Sequence, residues 1–240
     1  MDSFNKNDDD SIRIHRILDS ISRDRMRTNF LKKPEQKLLA LLVQRVPSWI
    51  SSDMLTALGL LGNIIVFISF ILAFYFHRAY LLLGVLGFTI SWLGDSLDGR
   101  VAYFRNKPRK LYGFILDITV DWLGIILIGC GYMVYSEGLW DLFGYGFVVL
   151  YGWEIIISLM KYKITGNYSI DTGRLGPTEA RIIISAIMVA EVLLPGSLMY
   201  SAACICLILF IIDIFDTRKL LKIGDEIDKE NNKKLTEKPS

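Results

Sequence analysis

The chain has 240 residues, 52% of them hydrophobic, with a mean hydropathy of +0.38 and a formal net charge of only +2. That apolar content is high for a soluble domain, and the near-neutral balance leaves no electrostatic footprint for nucleic acid. The three cysteines, Cys130, Cys204 and Cys206, lie in apolar stretches at no metal-ligand spacing, so they read as small buried hydrophobes.

The first 30 residues are mostly polar, with Asp8, Asp9 and Asp10 followed by Arg13, His15 and Arg16. Their scattered Ile and Leu form no apolar core of a secretory signal. Over 36–50, Leu38, Leu39, Leu41, Leu42, Val43, Val46 and Ile50 interleave with Lys37, Gln44 and Arg45. That pattern predicts an amphipathic helix, lying on the cytoplasmic leaflet or packed on a bundle. Six apolar segments follow, near 54–76, 79–103, 112–135, 139–162, 177–194 and 198–215, each close to the 20 residues a spanning helix needs. The expected fold is therefore an all-α integral membrane protein: six transmembrane helices preceded by an N-terminal cytoplasmic amphipathic helix. A cytoplasmic segment over 1–50, a membrane domain over 51–216 and a polar cytoplasmic tail over 217–240 make up the chain. The tail alternates charges and reads as solvated or disordered.

An even number of spans puts both termini on one side. Arg105, Lys107, Arg109 and Lys110 lie between the second and third segments; Lys161, Lys163 and Arg174 lie between the fourth and fifth; Arg218, Lys219 and Lys222 follow the sixth. By the positive-inside rule these faces and both termini are cytoplasmic. No internal repeat supports a transporter built from duplicated halves.

Four carboxylates sit inside this oily sequence: Asp95 and Asp98 at the cytoplasmic end of the second segment, Asp117 and Asp121 in the opening turns of the third. Each costs about 2.5 to 3.5 kcal/mol to place in hydrocarbon, so four within 27 residues call for compensation. Steps of three and four put Asp95, Asp98, Gly99 and Ala102 on one helical face, and Gly113, Asp117 and Asp121 on another. An antiparallel pair then directs all four acids into one pocket, where Gly99, Ala102 and Gly113 let a ligand or backbone approach. Hard oxygen donors without His or Cys suit Mg²⁺ or Mn²⁺, two ions for four acids, and disfavour zinc.

These residues, Asp95-Ser-Leu-Asp98-Gly99-Arg-Val-Ala102 followed by Gly113-Phe-Ile-Leu-Asp117-Ile-Thr-Val-Asp121, resemble the signature of the CDP-alcohol phosphotransferase (CDP-alcohol phosphatidyltransferase) family. The resemblance extends over the whole apolar body. It departs from the family pattern at Tyr103, where Arg is usual, and at Ser52-Asp53, where Pro-Asn is often found. The resemblance implies a phospholipid-synthesis enzyme that transfers a phosphoalcohol group from a CDP-alcohol to a hydroxyl acceptor and releases CMP. It further implies that Asp95, Asp98 and Asp117 hold metals, that Asp121 is both ligand and base, and that Gly99 and Ala102 line the nucleotide site with Gly113. Arg105 is expected to lend the guanidinium that Tyr103 lacks. Members of the family look like homodimers, so a homodimer is expected here. An independent physical reading agrees with this chemistry, because phosphoryl transfer needs positive charge on the leaving oxygens and a base near an alcohol.

The cations of the second loop, Arg109 included, have two explanations: topology with anionic-lipid contact, or phosphate recognition. Gly176-Pro177-Thr178-Glu179-Ala180-Arg181 is an ordinary helix start. It also resembles a Gly-Pro-Thr-Glu stretch of amino-alcohol members of the family, which makes Thr178, Glu179 and Arg181 candidates for substrate binding. Glu154 reads as hydrogen-bonded to a bundle partner, and Glu191 as an interfacial acid. Asn167-Tyr168-Ser169 fits a glycosylation pattern but falls on a cytoplasmic loop. Two donor classes stay open: CDP-diacylglycerol with inositol, its phosphate, serine or glycerol phosphate as acceptor, or a CDP-amino alcohol with a lipid alcohol as acceptor. A rival from another class is a cation-coupled transporter using the Asp cluster as its ion site, which requires acids reachable from both sides.

Overall fold

The computed structural model describes residues 32–166 and 177–236. The glycosylation-like triplet 167–169, Arg174 and Gly176 lie outside the described residues. Among the described residues seven α-helices follow one another: α1 Lys32–Arg45, α2 Ser52–Tyr75, α3 Leu81–Phe104, α4 Lys110–Tyr135, α5 Asp141–Thr165, α6 Pro177–Leu193 and α7 Ser197–Thr236. Single 3₁₀ turns at Arg78–Tyr80 and Gly138–Trp140 lead into α3 and α5, and no strand occurs among the described residues. The ends carry the expected local chemistry. Ser51 caps α2 by accepting from the Met54 amide at 3.1 Å, and Gly166 closes α5 with φ of 71°, the left-handed region that favours glycine.

The fold is all-α, and five helices are long and apolar enough to cross a membrane: α2, α3 with its leading turn, α4, α5 with its leading turn, and α7. Large apolar side chains such as Leu86, Leu123, Val149, Ile208 and Phe215 face outward from them, as hydrocarbon rather than water requires. Length and apolarity thus single out five spans where six are expected. The remaining segment folds as α6, whose described residues, Pro177–Leu193, fall short of that length, with the Pro195-Gly196 turn after it.

Two further expectations take a different form. The tail is helical where its side chains are solvated: α7 runs 40 residues to Thr236, mostly exposed beyond Leu220. Its C-terminal part carries ion pairs at helical spacing, Asp216–Lys219 at 2.8 Å, Lys222–Glu226 at 3.9 Å and Asp225–Lys229 at 2.5 Å. Such pairs add only about 0.2 to 0.5 kcal/mol each, but they extend a helix already nucleated in the bundle. Of the cysteines only Cys206 is buried, its thiol donating to the Phe143 carbonyl at 3.3 Å; Cys130 and Cys204 lie on exposed faces of their spans.

Helix α1 packs on the bundle, the second of the two readings of its pattern. Leu39 and Val43 bury against Leu55 of α2 and Leu97 and Val101 of α3, while Leu38 and Leu41 stay exposed. A second core, away from the acids, joins Phe70, Phe88, Ile128, Tyr132, Met188 and Leu198. At that end of the bundle the buried Glu191 ties α6 to the turn into α7. It accepts from the Tyr135 hydroxyl (2.9 Å), the Gly196 amide (2.9 Å), the Ser197 hydroxyl (3.2 Å) and the Leu198 amide (2.7 Å). Glu154 of α5 faces the buried Asp213 of α7, in line with a bundle-partner role.

Glycines set how closely α2 and α3 approach. A Cβ on Gly62 would stand 2.4 Å from the Ser91 amide nitrogen, and one on Gly94 2.4 Å from that of Gly59; backbone on the facing helix cannot yield as a side-chain tip can. Gly62→Ala and Gly94→Ala are therefore expected to destabilise the bundle by about 1 to 3 kcal/mol. Thermal unfolding in detergent measures this. Gly99→Ala is the internal control: a Cβ there meets nothing within 4 Å, so its unfolding temperature is expected to hold or rise.

Candidate metal and nucleotide site

The acids lie on α3 and α4, on either side of the short 105–109 connection; both helices pack on α2 rather than on each other, and the expected antiparallel pair is in this respect corrected. Asp117 and Asp121 are one turn apart on α4, and Asp95 meets them from α3. One carboxylate oxygen from each lies within 4.8 Å of the others. Asp117 is buried, while Asp95 and Asp121 keep partial access to the outside. Like charges this close repel, and they persist only when a cation stands among them.

The fourth acid points elsewhere. Asp98 stands outside that group of three and is held by α2: the Thr56 hydroxyl donates to its carboxylate at 2.7 Å, and the Ser52 hydroxyl to its backbone carbonyl at 2.9 Å. Gly99 and Gly113 both border open space. Ala102 is half-buried on the same helix as Gly99.

The basic residues divide. Arg105 turns to the α1–α2 connection, where its guanidinium donates to the carbonyls of Val46 (3.3 Å), Pro47 (2.8 Å) and Ile50. It braces that turn against the end of α3. Arg109 pairs with Asp53 and lies 4.0 Å over the Tyr112 ring. The hydrogen bond from Arg109 to Asp53 raises the guanidinium further above its ordinary range, so it stays charged. Arg181 enters the acid group itself. From the second turn of α6 it reaches Asp95 at 2.7 Å through Nη1 and Asp121 at 3.8 Å through Nη2, with its side chain only 15% exposed. Thr178 and the buried Glu179 lie in the first turn of the same helix.

Sequence reasoning missed two contributors. Thr56 fixes Asp98, and Tyr151 of α5 comes within electrostatic reach of Asp121, Arg181 and Asp95. Neither carries a signal in the sequence, since a hydroxyl within an apolar span is common and its direction is tertiary information.

The chemistry of the three-acid group fits a hard divalent cation: carboxylate oxygens from two rigid helices, within reach of one ion, with no His or Cys among them. A family model described as CDP-alcohol phosphatidyltransferase matches residues 49–215. No curated protein and no solved structure matches the chain.

Proposed function

The chain belongs to the CDP-alcohol phosphatidyltransferase family, and from that premise we propose that it moves a phosphoalcohol group from a CDP-alcohol to a hydroxyl acceptor with release of CMP. The observation that carries this is the group of Asp95, Asp117 and Asp121, brought together from two helices. Asp95, Asp98, Asp117 and Asp121 are the residues to hold two Mg²⁺ or Mn²⁺ ions, Asp98 after turning from Thr56. Bound there, the ions supply positive charge to the pyrophosphate and to the departing CMP oxygen.

The protein's own groups do the rest. Asp121, partly accessible at the rim of the group, takes the proton of the acceptor hydroxyl as the acceptor oxygen bonds to the phosphorus farther from cytidine. The bond from that phosphorus to the oxygen bridging to CMP breaks, and CMP leaves with the electron pair. Gly99, Ala102 and Gly113 leave room for the nucleotide. Arg109, Thr178 and Arg181 are placed to meet phosphate oxygens; Arg105 acts as a brace on the neighbouring turn.

Of the two donor classes, a CDP-amino alcohol passing its head group to a lipid alcohol is favoured, because Glu179, on the same helix as Arg181, offers a buried carboxylate to a cationic head group. In this reading α6 completes six spans, and the site and both termini face the cytoplasm, the side where Arg105, Lys107, Arg109 and Lys110 lie. The membrane domain covers 51–216, and two copies form a homodimer.

Purified protein in lipid with Mg²⁺ or Mn²⁺ tests the choice. One set pairs CDP-ethanolamine or CDP-choline with diacylglycerol; the other pairs CDP-diacylglycerol with inositol, inositol phosphate, serine or glycerol phosphate. CMP release confined to the first set is expected. Release confined to the second reverses the donor assignment. Release in neither set removes the transferase reading and favours cation transport.

A further inference from the structure

Arg181 pairs with two of the three carboxylates that the proposed reaction needs for metal. Its guanidinium lies 2.7 Å from one oxygen of Asp95 and 3.8 Å from one of Asp121, and both residues belong to the group of three whose carboxylates can close on a single ion. An oxygen in a charge-assisted hydrogen bond directs its lone pair at the donor, and two positive charges sharing such oxygens repel strongly where solvent is scarce. Arg181 cannot relieve this by losing its proton, because guanidinium stays charged in proteins. It also does not belong to the two helices that carry the acids: it reaches them from α6, the short helix that begins at Pro177.

Resting on the metal-site reading above, we propose that Arg181 is a built-in counter-cation of the acid group. It competes with divalent metal for Asp95 and Asp121, and it transfers to the pyrophosphate of the CDP-alcohol once metal loads. Before loading, the guanidinium offsets the repulsion among the three carboxylates and keeps them facing one another. After loading, a side chain only 15% exposed carries a charge whose anion has been claimed, and the anion that enters the same pocket is the pyrophosphate. Metal and donor binding are thereby coupled through one side chain. Arg181 is a positioning residue in this scheme: it acts on the reaction through metal and donor.

Mn²⁺ titration, followed by the electron paramagnetic resonance signal of the free ion, reads the competition without any turnover. Arg181→Gln is expected to bind Mn²⁺ about tenfold tighter or more, since a repelling charge is removed from the ligand oxygens. Arg181→Lys is expected a few-fold tighter than the parent, because an ammonium holds these oxygens less firmly than a forked guanidinium. The rise in unfolding temperature on adding Mn²⁺ is expected to be larger for Arg181→Gln than for the parent protein. CDP, added to the Mn²⁺-saturated proteins, is expected to bind about tenfold more weakly to Arg181→Gln. A purely structural Arg181 gives the opposite sign, weaker metal binding in both variants. Mn²⁺ affinity unchanged or reduced in Arg181→Gln and Arg181→Lys overturns the competition, and unchanged CDP affinity overturns the transfer. The metal site itself is judged separately: if the parent protein takes up no Mn²⁺ that Asp117→Asn abolishes, the reading of the acid group fails, not the role of Arg181 within it.

Discussion

Replacing Asp121 with Asn is expected to slow CMP release by about 10²- to 10⁴-fold, the range for loss of a positioned general base. Asn keeps the size and one carbonyl oxygen of Asp, so packing at the α4 face is preserved; an amide does not accept the acceptor's proton. The neighbouring acid separates the two roles assigned to this group. Asp117 is buried beneath the rim and cannot reach a substrate hydroxyl as Asp121 does. Asp117→Asn should therefore act through cation affinity, and activity should return in part as Mn²⁺ is raised. Asp121→Asn should stay slow at every Mn²⁺ concentration. Initial rates of CMP release across a Mn²⁺ series distinguish them, and full rescue of Asp121→Asn by metal would remove its role as base. Both substitutions take one negative charge out of a crowded group, so neither is expected to unfold the protein.

The largest effect on stability is expected at the other end of α6, from Glu191→Ala. This side chain, 2% exposed, collects four donors from α4 and from the turn into α7. Alanine leaves the Leu198 amide and the Tyr135 hydroxyl without their acceptor in apolar surroundings. Each orphaned buried donor costs about 1 to 3 kcal/mol, and the loss is expected to total about 3 to 5 kcal/mol. Glu191→Gln keeps one accepting oxygen and should lose less than half as much. Glu191 is ten residues from Arg181, about 15 Å along the helix, so turnover per folded molecule should not change. Thermal unfolding in detergent, with activity normalised to folded protein, checks both parts; an unaltered melting temperature for Glu191→Ala would show that the turn holds without it.

The two acid-bearing helices were legible because periodicity fixes which residues share a face, and intramembrane carboxylates are too costly to be incidental; that both would pack on α2 rather than on each other was not. Periodicity does not fix which way a side chain turns. Asp98 shares the face of Asp95 yet bonds to Thr56, since the hydroxyl that captures it comes from a helix some 40 residues earlier in the chain. Arg105 stands near the signature and reads as a phosphate ligand, but the open carbonyls at the end of α1 lie closer to it. Arg181 was a substrate-binding candidate only through the likeness of its stretch to amino-alcohol members of the family, and only the packing of α6 brings its guanidinium among the acids. Alternating charges after Lys219 marked a solvated tail but not its helical form, because a helix nucleated in the bundle carries on through residues that would not start one.

The most direct test of phosphoalcohol transfer follows the phosphorus. With a CDP-alcohol labelled at the phosphorus farther from cytidine, protein in lipid, acceptor and Mg²⁺ or Mn²⁺, the label should appear in the acceptor-linked product in proportion to unlabelled CMP. It should fail to do so in Asp121→Asn. Label recovered in the nucleotide product, or a donor left intact while Asp117-dependent Mn²⁺ binding is normal, would contradict transfer at this site.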